Sequence, residues 1–258
     1  MTVVIGIKCS EGIVMGADGA ATLGAMGVRT IVQPTAKLRI IGDNGIFGFS
    51  GQVGLSQLFF DRATSVCARL RTDGAPEVCR KLRDAFLEDT RVAMQTASLA
   101  RTVVGGIAAE NVSNTTLIAL AIQGRPELIQ FDYQCQPEMT TIDLPFVSIG
   151  CGEPLADPFL AFIRSIFWEK RLPTAAEGRF AVMWALTHAI RTAPAGIGEP
   201  IQMATLEKIR GSFAARILSE DELQEHREAI SKIEEHIKTF QVDQQTSDEL
   251  PSPPPECP

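Results

Sequence analysis

The sequence predicts an α+β protein in which two β-sheets pack face to face and helices cover their outer sides. Strand-like stretches come in clusters, and pairs of helices separate the clusters. Single helices alternating with strands would instead build a doubly wound parallel sheet, and that pattern is absent. No internal repeat appears, so residues 1–240 read as one domain followed by a tail at 241–258.

Residues 2–8 (TVVIGIK) and 12–18 (GIVMGAD) are apolar and rich in β-branched side chains, and the CSEG turn between them makes a hairpin. A second hairpin joins 37–42 (KLRIIG) to 45–50 (GIFGFS) around Asp43-Asn44-Gly45. From Val53 to about residue 70 the period becomes helical, with Leu55, Leu58, Phe59, Ala63 and Val66 on one face. A further helix starts at Pro76, a residue suited to a first turn, and runs to about residue 100. Strands follow at 115–122, 127–132 and 146–150, then helices over 153–169 and 174–191, then a strand pair at 201–207 and 209–214. Ser219 and Glu222 form a capping box for an amphipathic helix to Phe240. The polar, Pro-rich remainder reads as disordered.

Composition removes several functions. A net charge of −7 without a dense basic patch argues against nucleic acid. No apolar run is long enough for a membrane span, and the N-terminus lacks the pattern of a signal peptide. The expectation is a cytosolic protein. Its 6 cysteines are scattered without a CxxC pair, and with 3 histidines no zinc site is expected; most thiols read as small buried hydrophobes.

The residue with most chemical potential is Thr2. Threonine is a poor nucleophile unless a base takes its proton, and an N-terminal threonine carries that base as its own α-amine. The amine's reference pKa of about 7.7–8.0 leaves roughly a fifth to a third of it neutral near pH 7.3. A nearby cation raises the neutral share. Met-Thr alone is also an ordinary way to begin a strand. Asp18, however, is an acid on an apolar strand, where burial demands a partner. Lys37 opens the next hairpin and is the candidate partner; the spacing fits a structural ion pair as well as a catalytic one.

The array T-V-V-I-G-I-K, G-A-D-G-A-A-T-L, K-L-R-I and F-S-G-Q-V-G resembles the proteasome β-type subunits, which are N-terminal-nucleophile hydrolases. The likeness is strong over the first 60 residues and weaker to about residue 240. It is greatest to the divergent bacterial proteasome homologues. It implies a four-layer αββα sandwich that assembles as stacked homo-oligomeric rings enclosing the active sites. Carried over by position, Thr2 matches the nucleophile once Met1 is removed, Lys37 the lysine beside it, and Asp18 the acid that orients the lysine. Gly51 matches the glycine whose N–H receives the oxyanion. Thr22 matches the residue whose backbone pairs with an extended peptide, with Ala21 beside it; Phe49 and Val53 are expected to shape the pocket for the residue before the cut. The implied substrate is a peptide or unfolded protein. Folded substrates would need an ATP-dependent unfoldase, and neither cofactor nor metal is implied.

Several positions depart from the family pattern. The serine of its G-S-G turn is Cys151 here, within Gly150-Cys151-Gly152, and a thiol is the weaker donor and acceptor. In RTAPAGIG, Thr192 stands for the family's aspartate and Ala195 for its serine, while Ala20 replaces an arginine. The expectation is a threonine endopeptidase of reduced activity. Two rival readings remain open at this stage. Retained Met1 would leave a ring-forming scaffold or peptide-binding chamber without catalysis. A Cys151–His188 dyad would make a cysteine hydrolase, although His188 lies among Trp184, Ala185 and Ala189 and reads as a packed helix residue. His226 and His236 read as solvated. The stretch GADGAATLGAMG lacks a G-K-[ST] ending and is not a phosphate cradle.

Overall fold

The computed structural model describes residues 2–23, 31–69, 73–104, 114–193 and 196–245. Two five-stranded antiparallel sheets form its centre. The first comprises β1 (Val4–Lys8), β2 (Gly12–Ala17), β10 (Phe146–Ile149), β11 (Gln202–Ile209) and β12 (Ser212–Ile217), in the order β10-β1-β2-β11-β12. The second comprises β5 (Leu38–Ile41), β6 (Gly45–Gly51), β7 (Asn114–Ile122), β8 (Arg125–Phe131) and β9 (Pro137–Met139), in sequence order. A separate hairpin joins β3 (Ala20–Leu23) to β4 (Ile31–Pro34).

Three apolar layers hold the stack together. Val3, just ahead of β1, and the alternate β1 residues Ile5 and Ile7 turn outward toward α3 (Glu153–Phe167) and α4 (Ala175–Thr192), against Leu160, Ile163, Val182 and Leu186. Val4, between them, turns inward to Met15, Leu38, Ile46, Leu117 and Leu128, which fill the space between the sheets. The outward face of the second sheet, with Phe47, Ile118 and Phe131, packs under α1 (Val53–Cys67) and α2 (Ala75–Val104), with Phe59 and Phe86 stacked 4.4 Å apart. The period of two along a strand thus serves two cores at once. That is why β1 and β2 read as unbroken apolar runs. The arrangement is the four-layer αββα sandwich of N-terminal-nucleophile hydrolase type.

Departures from the sequence reading have local causes. β1 starts at Val4, so Thr2 lies just ahead of the strand rather than within it. The short β3, β4 and β9 were not expected; runs of three or four residues give no usable period. The last hairpin turns later than expected, at Arg210 and Gly211, both with positive φ (51° and 93°), the geometry of a two-residue connection. The Ser219 capping box forms as read, with Glu222 returning to Ser219 N–H, and a second box that was not expected joins Glu177 to Thr174 N–H at the start of α4. The final helix, α5 (Glu220–Gln245), runs five residues past the expected domain edge at residue 240; residues 246–258 lie outside the described residues. None of the described helices is long and apolar enough to cross a membrane.

Candidate active site

Asp18 follows the end of β2, beside the first residues of the chain. Its backbone N–H donates to the Val3 carbonyl (3.2 Å), and its carboxylate Oδ1 accepts the Val3 N–H in return (2.9 Å). The same oxygen accepts Lys37 Nζ at 2.6 Å. Oδ2 takes the N–H groups of Ala20 and Gly198, both at 3.2 Å. Asp18 has no solvent exposure and Lys37 only 2%. Burial pushes the lysine below its ordinary pKa, while the Asp18 carboxylate pulls it back toward the charged state. The sequence-predicted pair therefore exists, and it grips the amide directly after Thr2.

Lys37 is held from the other side by a residue that sequence reasoning missed. Gln202 Oε1 accepts the N–H groups of Lys37 (3.0 Å) and Leu38 (3.4 Å), and its Nε2 donates to the Thr35 carbonyl at 2.5 Å. Gln202 reaches this segment because β11 runs beside β2, with Gln202 opposite Ala17. Only the register of two strands far apart in sequence reveals it.

Thr2 is 9% exposed and meets the Gly150-Cys151-Gly152 turn. Its N–H donates to Cys151 Sγ (3.1 Å), the Cys151 thiol donates to the Thr2 carbonyl (3.4 Å), and Gly152 N–H donates to the same carbonyl (3.2 Å). Thr2 N is the backbone nitrogen that follows Met1, and the Cys151 thiol lies directly against it. The approach depends on Gly150: its φ is +99°, and a Cβ there would lie 2.3 Å from the Thr2 carbonyl oxygen. Ser148, on β10 just before the turn, donates to Asp157 of α3 at 2.5 Å and ties strand to helix.

Gly51 ends β6 with φ +131°, a backbone state open only to glycine, directly opposite Asn114 on β7. Val53, first residue of α1, is 37% exposed; Phe49 instead is 5% exposed and packs behind the sheet against Phe47. Ala21 and Thr22 lie on β3, paired with Gln33 and Val32 of β4. No strand among the described residues pairs with the other edge of β3. Ala20 is buried and contributes its N–H to Asp18. Thr192 donates to the His188 carbonyl one helical turn back, and Ala195 lies outside the described residues.

The histidine reading resolves toward packing. The His188 ring stacks on Phe159 at 4.3 Å, and burial lowers its pKa. Cys151 meanwhile is engaged with Thr2. His226 is half-buried rather than fully solvated, and its pKa too is lowered by burial, while His236 is exposed. Burial pushes the thiols of Cys9 and Cys67 up to about 12 and those of Cys79 and Cys135 upward; among the described cysteines only Cys151 is exposed. The described residues hold no cluster of His, Cys, Asp and Glu suited to a metal ion.

The same fold occurs in three Anbu structures. A Gly-1 mutant of Anbu from Hyphomicrobium sp. strain MC1 is 15% identical, with a TM-score of 0.65 over 98% of this chain and 100% of that one. The helical assembly of the Anbu complex from Pseudomonas aeruginosa is 17% identical, with a TM-score of 0.65 over 98% of each chain. Anbu from Yersinia bercovieri, described as an ancestral beta-subunit, is 14% identical over 99% of this chain and 100% of that one, with a TM-score of 0.65. No curated protein sequence matches the chain. The fold is therefore that of the Anbu structures over 98–99% of the chain. The sequence model described as proteasome subunit matches residues 2–161, more than half of the chain, and the protein belongs to the proteasome subunit family.

Proposed function

We propose that the protein is a threonine-type peptidase subunit, with Thr2 as nucleophile after removal of Met1. The observation that carries the reading is the buried Lys37–Asp18 pair clasping the Thr2–Val3 amide, with Cys151 Sγ 3.1 Å from Thr2 N. An Asp–Lys pair of this burial is a weak source of stability, because desolvation offsets much of its attraction. Placed beside the chain's N-terminus, it supplies the cation that keeps an α-amine neutral.

In this mechanism the Thr2 amine takes the Oγ proton, directly or through water, and Oγ attacks the peptide carbonyl. The oxyanion is received by the Gly51 N–H. Cys151 passes the proton between the amine and the leaving group, less effectively than a hydroxyl would. Water, activated by the same amine, then releases the acyl-enzyme. An extended peptide adds to the free edge of β3 at Ala21 and Thr22, and Val53 faces the residue before the cut.

Assembly is part of the proposal. Phe162, Ile166 and Phe167 of α3, with Ile142 and Leu144 before β10, are 39–66% exposed. Large apolar side chains gathered on one outer layer mark a contact surface. We take that partner to be further copies of this chain, stacked as rings around unfolded substrate, with folded substrates delivered by an ATP-dependent unfoldase. Size-exclusion chromatography with light scattering, followed by hydrolysis of fluorogenic peptides in each fraction, tests both parts. Cleavage confined to the assembled fraction and abolished in Thr2→Ala is expected. Equal cleavage by Thr2→Ala would overturn the assignment.

A further inference from the structure

We infer that Asn114 is a positioning residue for the oxyanion donor: it locks the peptide that follows Gly51 and so fixes the direction of the Gly51 N–H. The inference rests on the peptidase reading above, and neither the motif array nor the residue-by-residue resemblance singles out this side chain.

Glycine has the widest φ, ψ freedom of any residue and no side chain by which packing can hold it. Yet a transition-state donor works by being pre-aimed, and misplacement of about 1 Å costs on the order of a hundredfold in rate. Something outside Gly51 must therefore hold it at φ +131°. On its N-terminal side the β6–β7 ladder does so, with Ser50 opposite Thr115 and Gly51 opposite Asn114. On its C-terminal side the chain leaves the sheet into α1, and Gln52, the N-cap, makes no side-chain cap.

Asn114 supplies an anchor to β7 there through a closed ring of hydrogen bonds, beside the helix bond from the Ser56 N–H to the Gln52 carbonyl (3.0 Å). Its Oδ1 accepts the Gln52 N–H at 2.7 Å, its Nδ2 donates to Ser56 Oγ at 2.8 Å, and the Ser56 hydroxyl donates to the Gln52 carbonyl at 2.8 Å. Each direction follows from the one before. A backbone N–H can only donate, so Oδ1 must face Gln52. The amide NH2 then faces Ser56, whose own proton is left for the carbonyl. Asn114 is 5% exposed and Ser56 1%, so water does not compete for these groups. Both ends of the Gln52 residue are thereby fixed to β7 and to the first turn of α1, and Gly51 spans two anchors.

The predicted signature is specific to transition-state geometry. Asn114→Ala lowers kcat on the order of tenfold to a hundredfold, below the loss of an oxyanion donor itself, and leaves KM within about twofold. A peptide boronate, whose tetrahedral adduct places an oxygen at the oxyanion position, loses affinity by the same factor as kcat. A merely structural role would lower the active fraction without this parallel loss. Ser56→Ala keeps the Asn114–Gln52 bond, removes its brace, and falls between wild type and Asn114→Ala. Amide hydrogen exchange over residues 50–56 gives a readout independent of turnover, with faster exchange expected in Asn114→Ala. Unchanged exchange, or unchanged kcat and boronate affinity beside an active wild type, overturns the inference. A wild type that neither cleaves peptides nor binds boronate overturns the peptidase reading, and the exchange experiment still decides the clamp.

Discussion

Removing Lys37 and Asp18 separately should have unequal costs, and the structure gives their order. Lys37→Met deletes the cation and leaves the Asp18 carboxylate with three backbone N–H donors, from Val3, Ala20 and Gly198. Each such bond to a charged acceptor is worth about 1.5–3 kcal/mol, so the carboxylate remains largely compensated. Asp18→Asn instead leaves Lys37, 2% exposed, facing a neutral amide. Breaking a buried pair in this way costs about 3–5 kcal/mol. In addition, the new NH2 group faces at least one donor. Asp18→Asn should therefore destabilise by about 3–5 kcal/mol and Lys37→Met by about 1–3 kcal/mol. The double variant should cost less than their sum, because the two residues interact directly and the Lys37–Asp18 contact is lost only once. For a chain of this size about 1 kcal/mol corresponds to roughly 2–4 °C in Tm. Thermal and urea unfolding followed by circular dichroism at one fixed chain concentration measures all three. Lys37→Met costing more than Asp18→Asn, or strict additivity in the double variant, would refute the electrostatic account.

Other perturbations have defined outcomes. Cys151→Ser should raise kcat several-fold, because a hydroxyl relays protons better than a thiol, and Cys151→Ala should lower it; steady-state peptide hydrolysis reads both. Gly150→Ala should abolish activity and lower Tm, since the new Cβ would lie 2.3 Å from the Thr2 carbonyl and φ there is +99°. Arg171 and the Thr174 cap hold Glu177 at a pKa of about 2, below its ordinary 4.5. That stabilisation is complete above pH 4.5 and is lost as pH falls through about 2. Glu177→Gln should accordingly lower Tm at neutral pH, by a margin that shrinks as the pH is lowered from 5 to 2.

Asp18 and Lys37 were legible as a candidate pair because an acid closing an apolar run demands a buried partner, whereas Thr2 drew notice through the chemistry of an N-terminal threonine and the likeness of the first 60 residues to the proteasome β-type subunits. The sandwich was legible in the grouping of apolar runs. Gln202 and Asn114 were not. Each acts through a strand register, β11 against β2 and β7 against β6, that no local signal specifies. Phe49 was expected in the pocket wall, but the alternation along β6 turns it with Phe47 toward α1. β3 carried no period because it is four residues long.

The central claim is that Thr2 bears a free α-amine beside a nucleophilic hydroxyl. Intact-protein mass spectrometry before and after a peptide epoxyketone tests it directly, because that warhead forms its double adduct only with both groups. Loss of Met1 and a single adduct that disappears in Thr2→Ala is the result expected. A chain that retains Met1, or one that lacks Met1 and takes up no adduct while its assembly is intact, would contradict the account.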